Sequence, residues 1–191
     1  MKIKNDMEAQ FLEAICLASV EILGEKEAFQ ALKGLGMSSF STLDPGRFTM
    51  ERYGRELAKH YDDQAAAGLL IRIGRASLIF LRRYYEPISV LGAIDNRLKP
   101  IERRFPDSFK VLAGKISGEM GTKVETSAED ALTYHWRLDA PEQIFEPYYH
   151  FGLLEEFCNW LDSRKDYQIV YAPQGPEEKA AELTIHVREK E

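Results

Sequence analysis

Apolar residues recur at three- and four-residue spacings between Asp6 and Lys33, at Phe11, Leu12, Ile15, Cys16, Ala18, Ile22, Leu23 and Leu32. That period predicts one amphipathic helix, ended by Gly34 and Gly36. From Leu35 to Thr49 the chain carries Ser38, Ser39, Ser41, Asp44, Pro45 and Gly46, the mark of a surface loop long enough to bind or cover something. Thr49 is placed to cap a second helix running towards His60. Asp62 and Asp63 then introduce the most apolar stretch, Ala65 to Tyr85, which reads as the central helix. Gly68 and Gly74 lie inside it, and a helical glycine costs up to about 1 kcal/mol relative to alanine, so close packing is expected there. Between Pro87 and Gly121 the pattern stays helical but broken, with Pro100 and Pro106 separating short pieces before a last stripe at Phe109, Leu112, Ala113, Ile116 and Met120.

The period then changes to two. After Val124, residues Leu132, Tyr134, Trp136 and Leu138 alternate with Thr133, His135, Arg137 and Asp139, which predicts a strand with one buried face. Pro141 and Pro147 frame a connection into a helix from about Tyr148 to Ser163. Two further strands, Tyr167 to Ala172 and Leu183 to Val187, are joined by the turn Pro173, Gln174, Gly175, Pro176. The predicted class is α+β: N-terminal helices packed on a small antiparallel sheet, with a β-β-α-β-β C-terminal half. At 191 residues the chain reads as a single domain, 1–191, with an N-terminal helix and loop over 1–49 and a core over 50–188.

Charge narrows the function classes. A net charge of −6 argues against a general nucleic-acid binder, which needs a concentrated positive surface. Arg72, Arg75, Arg82 and Arg83 fall on one helical stripe, either a solvated face or a site for an acidic partner. Met1 to Asp6 has no apolar signal core, and no apolar run approaches the roughly 20 residues of a membrane span, so the expected setting is cytoplasmic. Cys16 and Cys158 sit in apolar helical patterns and read as buried free thiols rather than a disulfide.

Catalytic signatures are missing: there is no GxxxxGK[ST], GxGxxG after a strand, HExxH, GxSxG or CxxC. Glu155-Glu156 and Asp62-Asp63 are adjacent in sequence and diverge on a helix, which makes them poor acid/base pairs. His135 should point away from Trp136, towards solvent or a partner. His150, beside Tyr148, Tyr149 and Phe151, can hydrogen-bond a buried ligand group or hold a haem iron, or else simply decorate a helix N-terminus. No catalytic residue is assigned. The candidate ligand-binding residues are Phe80, Tyr84, Trp136, Tyr148, His150, Phe151 and Trp160, with core filling as the alternative role for the aromatics.

Several strings resemble the 4-vinyl-reductase-like (hydrocarbon-binding) family. They are Gly68-Leu69-Leu70-Ile71-Arg72-Ile73-Gly74-Arg75-Ala76, the strand bearing Trp136, Gly152-Leu153-Leu154-Glu155-Glu156-Phe157 through Trp160, and the closing Leu183-Thr184-Ile185, in that order over about residues 50 to 188. The resemblance implies a fold like that of vesicle-tethering (TRAPP-type) subunits and haem nitric-oxide sensor domains. It also implies a homodimer that encloses an apolar small molecule without catalysis, as a sensor or carrier. Many relatives carry cysteines around the last strands, some holding zinc; Tyr171 to Ile185 has none, so no zinc is expected. No cofactor is predicted on this reading, with haem or another tetrapyrrole as the minor alternative. The competing functions are a protein-interaction scaffold without ligand and a tetrapyrrole 4-vinyl reductase or accessory factor.

Overall fold

A computed structural model describes residues 10–36, 48–93, 98–120, 122–139, 144–172 and 180–190. The expected first helix is two helices, α1 (Gln10–Leu23) and α2 (Glu25–Gly34). Gly24 separates them at φ 87°, a left-handed conformation that only glycine adopts without strain, and its N–H caps the carbonyl of Val20 at 2.9 Å. The apolar spacing continues across this break, so periodicity alone does not show it. Most of the expected loop from Leu35 to Thr49 lies outside the described residues, as does the turn at 173–176.

α3 (Met50–Tyr61) begins as the sequence predicts, with the Thr49 hydroxyl accepting from the Arg52 N–H at 3.2 Å. Asp62 ends α3 and caps α4 (Asp63–Tyr84), its carboxylate accepting from the Ala65 N–H at 2.8 Å. α4 is the central helix. Contrary to the expectation of no such run, its 22 residues are long and apolar enough by composition to cross a membrane. In this fold its apolar side is instead buried, through Ala66, Leu70, Ile73, Ala76, Leu78 and Leu81, in the core formed with its neighbouring helices.

α5 (Glu86–Ser89) and a 3-10 turn (Val90–Gly92) lead to α6 (Ile101–Met120). Pro106 does not divide α6 but sits inside it. The carbonyl that its missing N–H leaves without a partner belongs to Glu102, in the exposed first turn, where water can replace the bond.

The remaining elements are β1 (Lys123–Ala128), β2 (Thr133–Asp139), α7 (Glu146–Leu161), β3 (Lys165–Ala172) and β4 (Ala181–Glu189). The sheet order is β1-β2-β4-β3 and every pairing is antiparallel. The α+β class and the β-β-α-β-β order are therefore as the periodicities predict. Tyr134, Trp136 and Leu138 of β2 and Leu183, Ile185 and Val187 of β4 face the helices, where they meet Phe105, Phe109 and Phe157. His135, Arg137, Glu182 and His186 occupy the outer face.

α4 and α7 meet backbone to backbone. A Cβ on Gly74 would lie 2.2 Å from the Tyr149 carbonyl oxygen, and one on Gly152 would lie 1.9 Å from that of Ile71. Of the two glycines expected to mark close packing in α4, Gly74 does so, while Gly68 faces open space. The arginine stripe flanks this crossing: Arg75 pairs with Glu155 and Arg82 with Glu156 at 3.6 Å. At the far end of α7, buried Asp162 accepts from Arg104 at 2.6 Å and from Arg164 at 2.9 Å.

Candidate functional site

α7 starts without a local side-chain cap, since Phe145 occupies that position. Pro147 costs nothing there, because the first N–H groups of a helix have no partner within the helix. Glu146, the first residue of α7, and His150, one turn on, stand at i and i+4, on the same face of the helix. That face turns inwards onto Trp136 of β2. Glu146, Tyr149, His150 and Trp136 are all fully buried.

Within this centre the His150 Nε2 lies 3.4 Å from a Glu146 carboxylate oxygen. The imidazole sits 5.8 Å from the Trp136 ring and 5.6 Å from the Tyr149 ring, nearly perpendicular to the latter at 84°. The Tyr149 hydroxyl lies against Ser77 of α4, and burial pushes its pKa well above the usual tyrosine value. Among the described residues, His150 Nδ1, the second Glu146 oxygen and Trp136 Nε1 have no hydrogen-bond partner. Each such buried polar atom costs about 1–3 kcal/mol unless something pairs with it. A carboxylate holding one imidazole nitrogen fixes the tautomer and leaves the other nitrogen's lone pair free to ligate or accept, as in many metal sites.

All of these atoms are sealed from solvent. A ligand reaches them only when neighbouring side chains move.

The structure brings two of the sequence-proposed residues, Trp136 and His150, into this centre. Phe151 follows on α7, half-buried against the core. Trp160, two to three turns further on, packs on Phe157 at 6.0 Å beneath the Arg82 guanidinium at 5.5 Å. Phe80 and Tyr84 stack on each other at 6.4 Å, with Tyr84 61% exposed, and Tyr148 meets Tyr171 of β3 at 5.6 Å. Sequence reasoning missed Glu146, which precedes the predicted start of the helix. The signal was its i, i+4 spacing to His150 within an otherwise apolar face.

Other candidates fall elsewhere. Cys16 and Cys158 are buried, and burial pushes the Cys16 thiol up to about 12 and raises Cys158 as well, so neither is a ready nucleophile. His135 faces outwards as expected, 2.9 Å from Glu182 and 3.5 Å from Glu129. It borders an open groove of about 330 Å³ lined also by Glu125, Thr126, Ser127 and Arg137. Among the described residues no group of three or more His, Cys, Asp or Glu side chains is disposed to hold a metal ion.

No family model matches the chain, and no curated protein matches it. Solved structures do. The chain is similar to a mutant of the T. tengcongensis H-NOX protein at a TM-score of 0.62 and 12% identity, covering 97% of this chain and 98% of that one. It is similar to an oxygen-binding H-NOX domain related to soluble guanylate cyclases, solved as its oxygen complex, at a TM-score of 0.61 and 10% identity over 97% and 96% of the two chains. The fold is that of an H-NOX domain. The kinship in fold with haem nitric-oxide sensors is thus present, while the 4-vinyl-reductase-like resemblance has no family model behind it.

The H-NOX likeness corrects the expectation of a chain without a cofactor. Solved proteins of this fold include one studied for haem redox potential under protein-induced porphyrin distortion, at a TM-score of 0.59 and 10% identity over 97% of this chain and 96% of that one. The residue pattern offers only His150 among aromatics as a hint of this, because haem ligation can rest on one side chain, which has no spacing signature. In this chain the donor chemistry suits haem iron: His150 is the described histidine turned into the core, with Glu146 on one nitrogen and the other without a partner. Room for a macrocycle requires the aromatic side chains around it to part.

Proposed function

We propose that this chain is a small-molecule sensor domain whose ligand is held between α7 and the sheet, and that haem is that ligand, which His150 would hold through Nδ1. The observation that carries the reading is the buried imidazole held through Nε2 by Glu146 and unpartnered at Nδ1. The likeness to H-NOX structures supports it. When bound, haem iron would supply the site for a diatomic gas. The chain's own residues do the rest: Glu146, 3.4 Å from Nε2, accepts a hydrogen bond when that nitrogen carries the proton and so leaves Nδ1 free, Trp136 flanks the imidazole, and burial keeps water out. Since α7 carries both His150 and the backbone contact with α4, a shift of the imidazole would pass to the central helix.

A second reading uses the same centre. Phe109, Phe157, Tyr134 and Trp136 form an aromatic wall suited to an apolar molecule with one polar group directed at His150. A homodimer in a cytoplasmic setting belongs to both readings. The test is native mass spectrometry with an absorbance scan of the same protein. An extra mass of one haem per chain with a Soret band, both lost in His150→Ala, supports the first reading. A colourless protein stabilised by apolar compounds in a His150-dependent way would favour the second, and a colourless protein that no apolar compound stabilises would overturn both.

A further inference from the structure

The sealed centre must open to be filled, and its walls differ in how firmly they are held. On one side the α4 and α7 backbones touch at Gly74 and Gly152. On another, the rings of Phe105, Phe109, Tyr134 and Phe157 interlock, with centroids 5.5 to 5.9 Å apart. The third side is the first turn of α7, and its hold is of another kind. Lacking a local cap, this turn takes its cap from α3: one Glu51 carboxylate oxygen accepts from the Ile144 N–H at 3.0 Å and the Phe145 N–H at 2.8 Å. Arg55 holds the other Glu51 oxygen at 2.9 Å and so aims the first. Phe145 fills the notch at Gly54, where a Cβ would come within 2.3 Å of its own Cβ.

We propose that α3 is a latch over the first turn of α7, and that Glu51 is the positioning residue that sets how readily the His150 centre opens. A cap from a distant helix makes the turn that carries Glu146, Tyr149 and His150 depend on a contact that can release without unfolding the domain. The role assigned to that centre rests on the function proposed above, but the opening can be measured without any ligand.

The probe is acrylamide quenching of Trp136, isolated by Trp160→Phe in the full chain. Trp136 is fully buried beside His150, so quenching reports opening of the centre. Glu51→Ala is expected to raise the quenching rate constant about five- to thirty-fold, with the circular dichroism spectrum unchanged, and Glu51→Gln, which keeps an acceptor oxygen, to raise it less. Asp162→Asn, a destabilising change at the other end of α7, should leave quenching near the parent value. Unchanged quenching in Glu51→Ala, or an equal rise in Asp162→Asn, overturns the latch. A protein that takes up no haem and no apolar compound yet shows the Glu51-dependent rise supports the latch while refuting the function proposed above. Haem uptake at the same rate in Glu51→Ala as in the parent would overturn the latch alone.

Discussion

Gly152→Ala puts a methyl group where the α4 backbone already lies. The new Cβ would stand 1.9 Å from the Ile71 carbonyl oxygen and 2.7 Å from its carbon, whereas ordinary contact begins near 3.4 Å. The two helices must part by roughly 1.5 Å, because a backbone carbonyl in the middle of a helix cannot rotate away as a side chain can. Overpacking a core costs about 1–3 kcal/mol, and this contact belongs at or above the top of that range. A chain of this size loses about 2–4 °C of Tm per kcal/mol, so a fall of about 6–12 °C is expected in thermal melts followed by circular dichroism. Gly68→Ala is the control: nothing lies within 4 Å of its added Cβ, and alanine in a helix interior should add about 0.5–1 kcal/mol and a degree or more of Tm. A Gly152→Ala variant that melts within about 2 °C of the parent, or a Gly68→Ala variant that falls as far as Gly152→Ala, would refute the backbone-contact argument.

Gly74→Ala should destabilise like Gly152→Ala, and the double variant should lose less than the sum, because both changes push the same crossing apart; urea midpoints measure this. Asp162→Asn should cost about 3 kcal/mol at neutral pH, since it removes the carboxylate from a buried ion pair. Hydrogen bonds, first from Arg164 and then from Arg104, hold the Asp162 carboxyl well below the usual range. Its stabilisation is therefore complete above the ordinary carboxylate pKa of about 4 and is lost as pH falls towards the depressed value. The Tm gap between parent and Asp162→Asn should stay constant from pH 7 to about 5 and narrow below about 4; a gap that widens in acid would reverse the sign of this argument. Cys16 and Cys158, buried and with raised pKa values, should resist a thiol reagent at pH 8 until urea unfolds the chain, and labelling of either in the native protein would contradict their placement.

The elements of this fold were legible where one pattern held over a whole segment: α4 follows from its long apolar stretch, and β2 and the strand that carries Leu183 and Ile185 from alternation. The break at Gly24 was not, because the apolar spacing carries on through it and only the backbone angle differs. Pro106 misled in the opposite direction, since near a helix start the bond it removes is replaceable by water. At the site, Trp136 and His150 were visible as an inward strand residue and a histidine among aromatics. Their juxtaposition depends on where α7 crosses the sheet, which Gly152 decides by letting α7 sit against α4. Phe80, Tyr84, Tyr148 and Trp160 share the same composition signal but stand on other faces, which composition does not resolve. Glu51 is the hardest case, a surface glutamate in sequence that caps a helix more than ninety residues on.

The most direct test of the central claim is a titration of the purified protein with hemin, followed at the Soret band, for the parent and His150→Ala. Saturation at one haem per chain, with a band that shifts or is lost in His150→Ala, is the predicted result. Saturation with the same spectrum and affinity in both proteins would show that His150 is not the ligand, and no saturable binding to the parent would remove haem from the account.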